Sequence, residues 1–418
     1  MKTYNNDVVW IINDYAGSPF HGMTHRHYYM AKEMKKEGIK PIIISASYSH
    51  FMIKEPRVGN KPCLHEKVDM IDYFWLKVLR YKDSRDKKRV LKWFQFCYKL
   101  LFLPSEIDKP STILCSGSAP MLILPSYFLA KKYGAKLIFE IRDIWPLTLM
   151  NFKNYSKYNP LIYIMQKCVN FGFKHSDEVI SVLPFTNQYI KEQGIYNVKF
   201  SYLPNGIFLD EIKNPIALNQ ETKSKIPNDK FIIGFAGAMG MGDGMDLLID
   251  AANILKTNNN IHFVLVGKGS EKERLKERIK DLKLNNISIL DAIPKKEVQN
   301  LLALFDVCYM GWEDNEIYKY GISANKIFDY MYASKPIIHI FNGQGDLIEE
   351  AKCGISIKEQ NPNLIANAIL ELYNTPFEKR VAIGRRGKLF VLNNHTYKSI
   401  TKKFIEITQK KNLQPLRT

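Results

Sequence analysis

The sequence predicts an α/β protein of two Rossmann-like, doubly wound domains, with the active site in the cleft between them. Three observations predict it. The chain has 418 residues, more than one hydrophobic core usually serves. Short apolar, β-branched runs alternate with amphipathic stretches, the pattern of parallel strands joined by crossover helices. That alternation runs once, stops at a turn-rich stretch, and then runs again.

In the first pass, strands are expected at 8–13, 41–45, 112–115, 136–141, 178–182 and 199–203, with helices at 24–37, 120–132 and 160–174. The stretch LPNGIFLDEIKNPIAL, 203–218, is rich in turn residues and lacks a long apolar run. It sets the domains at 1–207 and 208–390. In the second pass, strands are expected at 231–236, 261–266, 287–290, 307–310 and 336–340. The remaining 391–418 holds a last helix near 397–409, expected to cross back to the first domain. Ligands of open α/β sheets bind beyond the C-terminal ends of the strands, so the residues after each strand are the candidates.

Composition narrows the class. Hydrophobic residues make up 46% and charged residues 24%, as in a globular protein. Six scattered cysteines form no C-x-x-C pair, so neither a disulfide framework nor a zinc site is signalled. No signal-peptide core is visible, and no apolar run reaches the roughly 18 residues of a spanning helix. The net charge is +18, and residues 1–207 hold 30 Lys+Arg against 17 Asp+Glu. Such a basic half suits an anionic surface, either lipid or nucleic acid. Nucleic acid lacks any supporting motif. From Arg85 to Lys99 there are six basic residues and one acid, interleaved with Trp93, Phe94, Phe96 and Tyr98. The stretch 84–104 fits a basic amphipathic helix at a membrane interface, or a helix packed on its own domain.

After the first strand, Gly17, Ser18, Pro19 and Gly22 form a turn that can present backbone N–H groups to phosphate. His21 and His25 are spaced for one helix face, but no third metal ligand is evident. The strand 136–141 runs into Glu140, Arg142, Asp143 and Trp145, where α/β enzymes place reactive groups; a plain Arg–Asp pair is the alternative. In 231–252 the G-x-G-x-x-G spacing is missing, and VGKGSEK fails the P-loop spacing, which argues against NAD and Walker-type nucleotides. Gly237, Gly240 and Gly242 remain suited to close approach of a phosphate. No D-x-D pair occurs, so diphosphate charge would be met without metal or cofactor, by lysine, arginine and helix N-termini. The stretch YGISANKIFDYM, 320–331, reads as a helix start with Ser323 as N-cap. Lys326 then sits in the first turn, where a cation costs about 0.3–1 kcal/mol at an exposed site. A bound anion shared with the N–H groups of residues 324–326 would account for it. Asp329, one turn deeper, either pairs with Lys326 or accepts hydrogen bonds from a ribose diol.

YAGSPFHGMTHRHYYMAKEMKKEG, ISASYSH, EIRDIWP, LPNGI, GFAGAMGMGDGMDLLIDAA, VGKGSEKERL and YGISANKIFDYMYASKPII occur in this order over nearly the whole chain. Together they resemble a family 4 retaining glycosyltransferase of the GT-B fold. The chain is most similar to the bacterial surface-polysaccharide branch that includes fucosamine transferases of O-antigen synthesis. The resemblance implies transfer of an acetamido or deoxyamino sugar from a UDP-sugar to a polyprenyl-diphosphate-linked saccharide. It places the protein in the cytoplasm, peripheral on the inner face of the cytoplasmic membrane and in contact with anionic lipid. It makes Arg142, Asp143 and Lys326 catalytic, and puts Gly22, Gly237, Gly240, Ile293, Ser323, Ala324, Asn325 and Asp329 on the donor. Glu140, His21 and Ser118 fall on the acceptor side. Three departures accompany it. Arg142 and Asp143 stand where many members have His-Asp. The arginine and lysine that grip the diphosphate after strand 231–236 are missing, which leaves Lys326 as replacement. The paired glutamates become Gly321 and Asp329. A non-catalytic nucleotide-sugar-binding subunit and a nucleotide-sugar epimerase are the rival readings.

Overall fold

The computed structural model describes residues 7–83, 86–153 and 155–409. The chain divides into two compact units: Met1–Asn205 with Tyr397–Thr418, and Gly206–Thr396.

Unit 1 contains β1 (Val8–Ile12), β2 (Lys40–Ala46), β3 (Cys63–Val68), β4 (Ile71–Leu76), β5 (Thr112–Cys115), β6 (Lys136–Ile141), β7 (Glu178–Ser181) and β8 (Phe200–Tyr202). Their order in the sheet is β3-β4-β2-β1-β5-β6-β7-β8, and only β3 runs antiparallel to its neighbour. Every residue of β1 is buried, because a parallel strand covered on both faces must be apolar throughout. The helices are α1 (Arg26–Lys36), α2 (Lys88–Leu100), α3 (Ile123–Tyr133), α4 (Leu147–Lys153), α5 (Pro160–His175) and α6 (Thr186–Glu192). Asn159 caps α5 through the Leu161 N–H at 2.9 Å, with Pro160 at the first helical position. Helix α3 lies between α2 and α5, while α1 packs against the last helix of the chain, Tyr397–Gln409.

Unit 2 contains β9 (Phe231–Ala236), β10 (Ile261–Val266), β11 (Ile287–Leu290), β12 (Val307–Gly311), β13 (Ile337–Ile340) and β14 (Gly354–Ile357), all parallel. The order β11-β10-β9-β12-β13-β14 is the doubly wound 3-2-1-4-5-6. Its helices are α7 (Leu209–Ile212), α8 (Gln220–Ser224), α9 (Met245–Ile254), α10 (Lys272–Asp281), α11 (Val298–Ala303), α12 (Asn325–Tyr332), α13 (Leu347–Ala351), α14 (Pro362–Asn374) and α15 (Phe377–Asn394); the helix Tyr397–Gln409 in unit 1 is α16. The core packs Phe235, Phe263 and Leu265 of the sheet against Leu248 and Ile249 of α9 and Ile365 and Ile369 of α14. Gly234 admits the Phe305 ring, since a Cβ there would lie 1.9 Å from it.

The structure adds three strands to the sequence expectation. β3 and β4 form a hairpin whose turn residues Asp69 and Met70 have φ of 49° and 62°, without the glycine that usually signals such a turn. β14 is four residues long and begins with glycine.

Candidate functional site

In a doubly wound sheet the crevice for ligands opens where the strand order reverses. In unit 1 that point lies beyond the ends of β1 and β5, at Asn13-Asp14 and Ser116-Gly117-Ser118. In unit 2 it lies beyond β9 and β12, at Gly237 and Trp312.

Unit 1 is organised by a buried polar network. Glu140, at the end of β6, receives Arg26 Nε at 3.0 Å and His27 Nε2 at 2.8 Å, and its side chain is fully buried. Arg26 also donates to the carbonyls of Pro204 (2.6 Å) and Leu203 (2.9 Å). Asn13 Oδ1 accepts the Tyr15 N–H at 2.8 Å, which turns its Nδ2 toward His27 Nδ1 (3.3 Å) and Ser116 Oγ (3.2 Å). His27 Nδ1 therefore accepts and Nε2 carries the proton. Burial lowers the His27 pKa and keeps the ring neutral. Burial acts to raise the Glu140 pKa, but Arg26 and His27 outweigh it and hold the carboxyl well below its usual range.

This geometry corrects two acceptor-side expectations. Glu140 has both oxygens engaged inside the protein and cannot meet an acceptor. His21 is buried as well, with Nδ1 3.0 Å from Ser18 Oγ and Nε2 3.2 Å from Glu66, and burial lowers its pKa. The turn at Gly22 is folded on itself: the Gly22 N–H donates to Ser18 O at 2.8 Å, and φ is +81°. Its N–H is thus committed within the loop. Among the described residues, no group of three or more His, Cys, Asp or Glu could hold a metal. Arg142, Asp143 and Ser118 do lie at strand ends. Arg142 is half-buried, with Nη1 3.4 Å from Thr24 Oγ1 and Nε without a partner. Asp143 is exposed. Ser118 Oγ is buried and unpartnered.

Asp14 was not among the sequence candidates. Its Oδ2 receives Lys92 Nζ at 2.7 Å in a pair with no exposure on either side, while Oδ1 is buried and unpartnered. A lone aspartate after an apolar strand gives no local signal, and its partner lies 78 residues away.

In unit 2, α12 starts one residue later than expected. Ala324 is the N-cap, and Asn325 the first helical residue. Ser323 therefore does not cap the helix. Lys326 points to the end of β9 and is ion-paired with Asp243, with side chains 14% and 17% exposed. Its Nζ lies 4.7 Å from the Phe235 ring centroid and 5.5 Å from that of Trp312. Asp243 also accepts the Gly240 N–H at 2.9 Å, and the Gly237 N–H goes to Val266 O at 3.0 Å. Both glycines thus shape the loop with their N–H groups already engaged. Asp329 is paired with Lys295, not with Lys326. Ile293 is half-buried between β11 and the turn Lys295–Glu297, and Asn325 is exposed. Gly321 has φ of +93°, a backbone that a glutamate there would adopt only with strain.

Trp312 is held from behind. Its Nε1 donates to His339 Nε2 at 3.0 Å, and His339 Nδ1 stands 2.9 Å from Asp346 Oδ1. Burial acts to raise the Asp346 pKa, but the hydrogen bonds from His339 and Ser356 outweigh it and lower it. Unit 2 thus presents a lysine, an aromatic plane and a helix start at the end of its first strand, a combination suited to an anionic, ring-bearing ligand.

Residues 218–390, most of unit 2, match the family model described as glycosyl transferases group 1. An uncharacterized glycosyltransferase of Methanocaldococcus jannaschii is 27% identical over 222 residues, 53% of this chain and 56% of that protein. A poly(ribitol-phosphate) alpha-N-acetylglucosaminyltransferase of Staphylococcus aureus is 26% identical over 182 residues, 42% of this chain and 35% of that one. The chain thus matches little more than half of the first curated relative and about a third of the second. The crystal structure of Anabaena HepE in complex with UDP and glucose superposes with a TM-score of 0.67 at 14% identity, covering 97% of this chain and all of that one. The fold is GT-B.

Proposed function

We propose that this chain, whose second unit matches the group 1 glycosyl transferases, is itself a glycosyltransferase that takes its sugar from a nucleoside diphosphate. The observation that carries the reading is Lys326. It stands in the first turn of α12, at the strand-order reversal of a 3-2-1-4-5-6 sheet, with Trp312 and Phe235 beside it.

The finer reading follows from the same residues. The donor is a UDP-linked acetamido or deoxyamino sugar and the acceptor a polyprenyl-diphosphate-linked saccharide of a surface polysaccharide, with transfer proceeding with retention on the cytoplasmic membrane face. UDP in a solved GT-B neighbour and an N-acetylglucosaminyl transferase among the relatives support the donor class. Charge develops on the leaving diphosphate as the glycosidic bond breaks. Lys326 and the N–H groups at residues 324–326 are placed to stabilise it, and no enzyme nucleophile is needed. Arg142 and Asp143, beyond the end of β6, are the catalytic residues of unit 1.

The test is UDP and GDP binding, followed by transfer from UDP-acetamido sugars, with wild type and Lys326→Ala. Lys326→Ala should lower turnover by about 100-fold or more, the scale for losing one transition-state charge contact. Near-normal turnover in that variant would refute the assignment. Binding of UDP without transfer to any lipid-linked acceptor would favour a non-catalytic subunit, and a new epimer from donor alone would make the chain an epimerase.

A further inference from the structure

Helices α2, α3 and α5 lie side by side on unit 1 and contain no aspartate or glutamate. Their outward lysines include Lys88 and Lys99 on α2, Lys131 and Lys132 on α3, and Lys167 and Lys174 on α5. An ordinary solvated helix face mixes both signs of charge. Three neighbouring helices of a single sign are a surface made for an anionic partner.

The same outer surface is apolar. On α2, Trp93, Phe96 and Leu100 are buried against the unit. Leu91, Phe94 and Tyr98, followed by Phe102, form a second stripe at helical spacing, exposed by 46–66%. A helix that is apolar on both sides needs a partner on its outer side. Leu124 and Phe128 extend the patch on α3, and Tyr163 and Ile164 on α5. Aromatic rings interleaved with lysines are the composition of an interfacial surface, with rings at the level of the headgroups and lysines reaching phosphate.

We propose that this three-helix face docks on an anionic phospholipid bilayer. Charge complementarity favours lipid phosphate, and the breadth of the apolar patch favours a bilayer over a free phosphate. No helix among the described residues is long and apolar enough to cross a membrane, so the contact is peripheral. α2 also ties this face to the end of β1: Lys92 is buried on Asp14, and Arg89 Nε donates to Tyr15 Oη at 3.1 Å. The docking face and the end of β1 are thus joined through the inner side of α2. The docking itself does not depend on the transfer reaction.

The test is co-sedimentation of the full chain with vesicles of phosphatidylcholine alone or mixed with phosphatidylglycerol, without donor or acceptor. Wild type should bind the mixed vesicles and release with added salt, each lysine near the surface contributing roughly fivefold to affinity. Lys88→Glu/Lys131→Glu/Lys132→Glu and Phe94→Ser/Tyr98→Ser/Phe128→Ser should each weaken binding by tenfold or more, while the thermal shift with UDP stays at the wild-type value. Equal binding to both vesicle types, undiminished binding by both triple variants, or no vesicle binding by wild type would each overturn the proposal. A missing UDP shift in wild type would instead count against the donor reading and leave lipid docking to be judged on sedimentation.

Discussion

Asp243 is paired with Lys326, so the diphosphate proposed to bind there would have to displace a carboxylate. Asp243→Asn isolates that competition. Asparagine keeps the shape and an oxygen for the Gly240 N–H, and removes only the charge facing Lys326. With side chains 14% and 17% exposed, the pair falls between exposed and buried ion pairs. Its charge contribution is therefore set at about 1–2 kcal/mol, above surface pairs and below fully buried ones. Two effects of opposite sign follow. The free protein loses that stabilisation, and its Tm falls by roughly 2–8 °C for a unit of this size. Binding of UDP no longer includes the displacement, and its affinity rises by about 5–30-fold. Calorimetric titration of UDP and thermal melts with and without it read both effects. Lower stability with tighter UDP binding is the expected signature. If Asp243→Asn instead weakens UDP binding, Asp243 is a ligand-contacting group; if the affinity is unchanged, the diphosphate does not sit at Lys326.

Four further outcomes are expected. Arg142→Ala should lower turnover while UDP affinity, measured by titration, stays within about twofold, as for a group that acts in the transition state; an equal loss of UDP affinity would make it a donor-binding residue and refute the catalytic role. Glu140→Ala should destabilise by about 3–5 kcal/mol in denaturant melts, because it leaves Arg26 buried without its counter-charge. Stability should fall on acidification in two steps. His27, His21, His50 and His262 have pKa values lowered by burial in the fold, so their contribution is lost as pH falls below the unfolded value of about 6.5, and that of Glu140, also lowered, is lost as pH falls below about 4.3. Flat stability from pH 7 to 5 would contradict the neutral buried histidines, His27 among them. Gly22→Ala should cost roughly 1–3 kcal/mol in thermal melts, since φ is +81° and an added Cβ would meet the Ile53 N and the Phe51 O at 3.0 Å.

Strands buried on both faces were legible because burial demands unbroken apolar runs. VVWII, FIIGFA and IHFVLV announce themselves. The hairpin of β3 and β4 was not, since CLHEKV is a half-exposed edge and its turn uses Asp69 and Met70 in place of glycine. The site was legible where local chemistry was odd: Lys326 is a cation at the wrong end of a helix. Its partner was not, because Asp243 lies 83 residues away and its sequence neighbourhood reads as a flexible glycine turn. Glu140 misled for the complementary reason. A charge at a strand end looks reactive, and only the fold reveals that Arg26 and His27 consume it.

The two units share a device that the sequence hides and burial sorts. Each places an aspartate after its first strand, Asp14 and Asp243, and each aspartate holds a distant lysine, Lys92 or Lys326. Both lysines also lie over an aromatic ring, Tyr15 at 4.1 Å and Phe235 at 4.7 Å. Lys92 has no exposure, so exchanging its partner would require opening the unit, and the pair acts as a bolt between α2 and the end of β1. Lys326 keeps 14% exposure with the Trp312 ring beside it, so the diphosphate proposed above would have a path to the ammonium. The same pairing is therefore closed to solvent in one unit and open to it in the other. What separates them is the solvent path to the ammonium, a property that belongs to the packed chain and not to any stretch of residues.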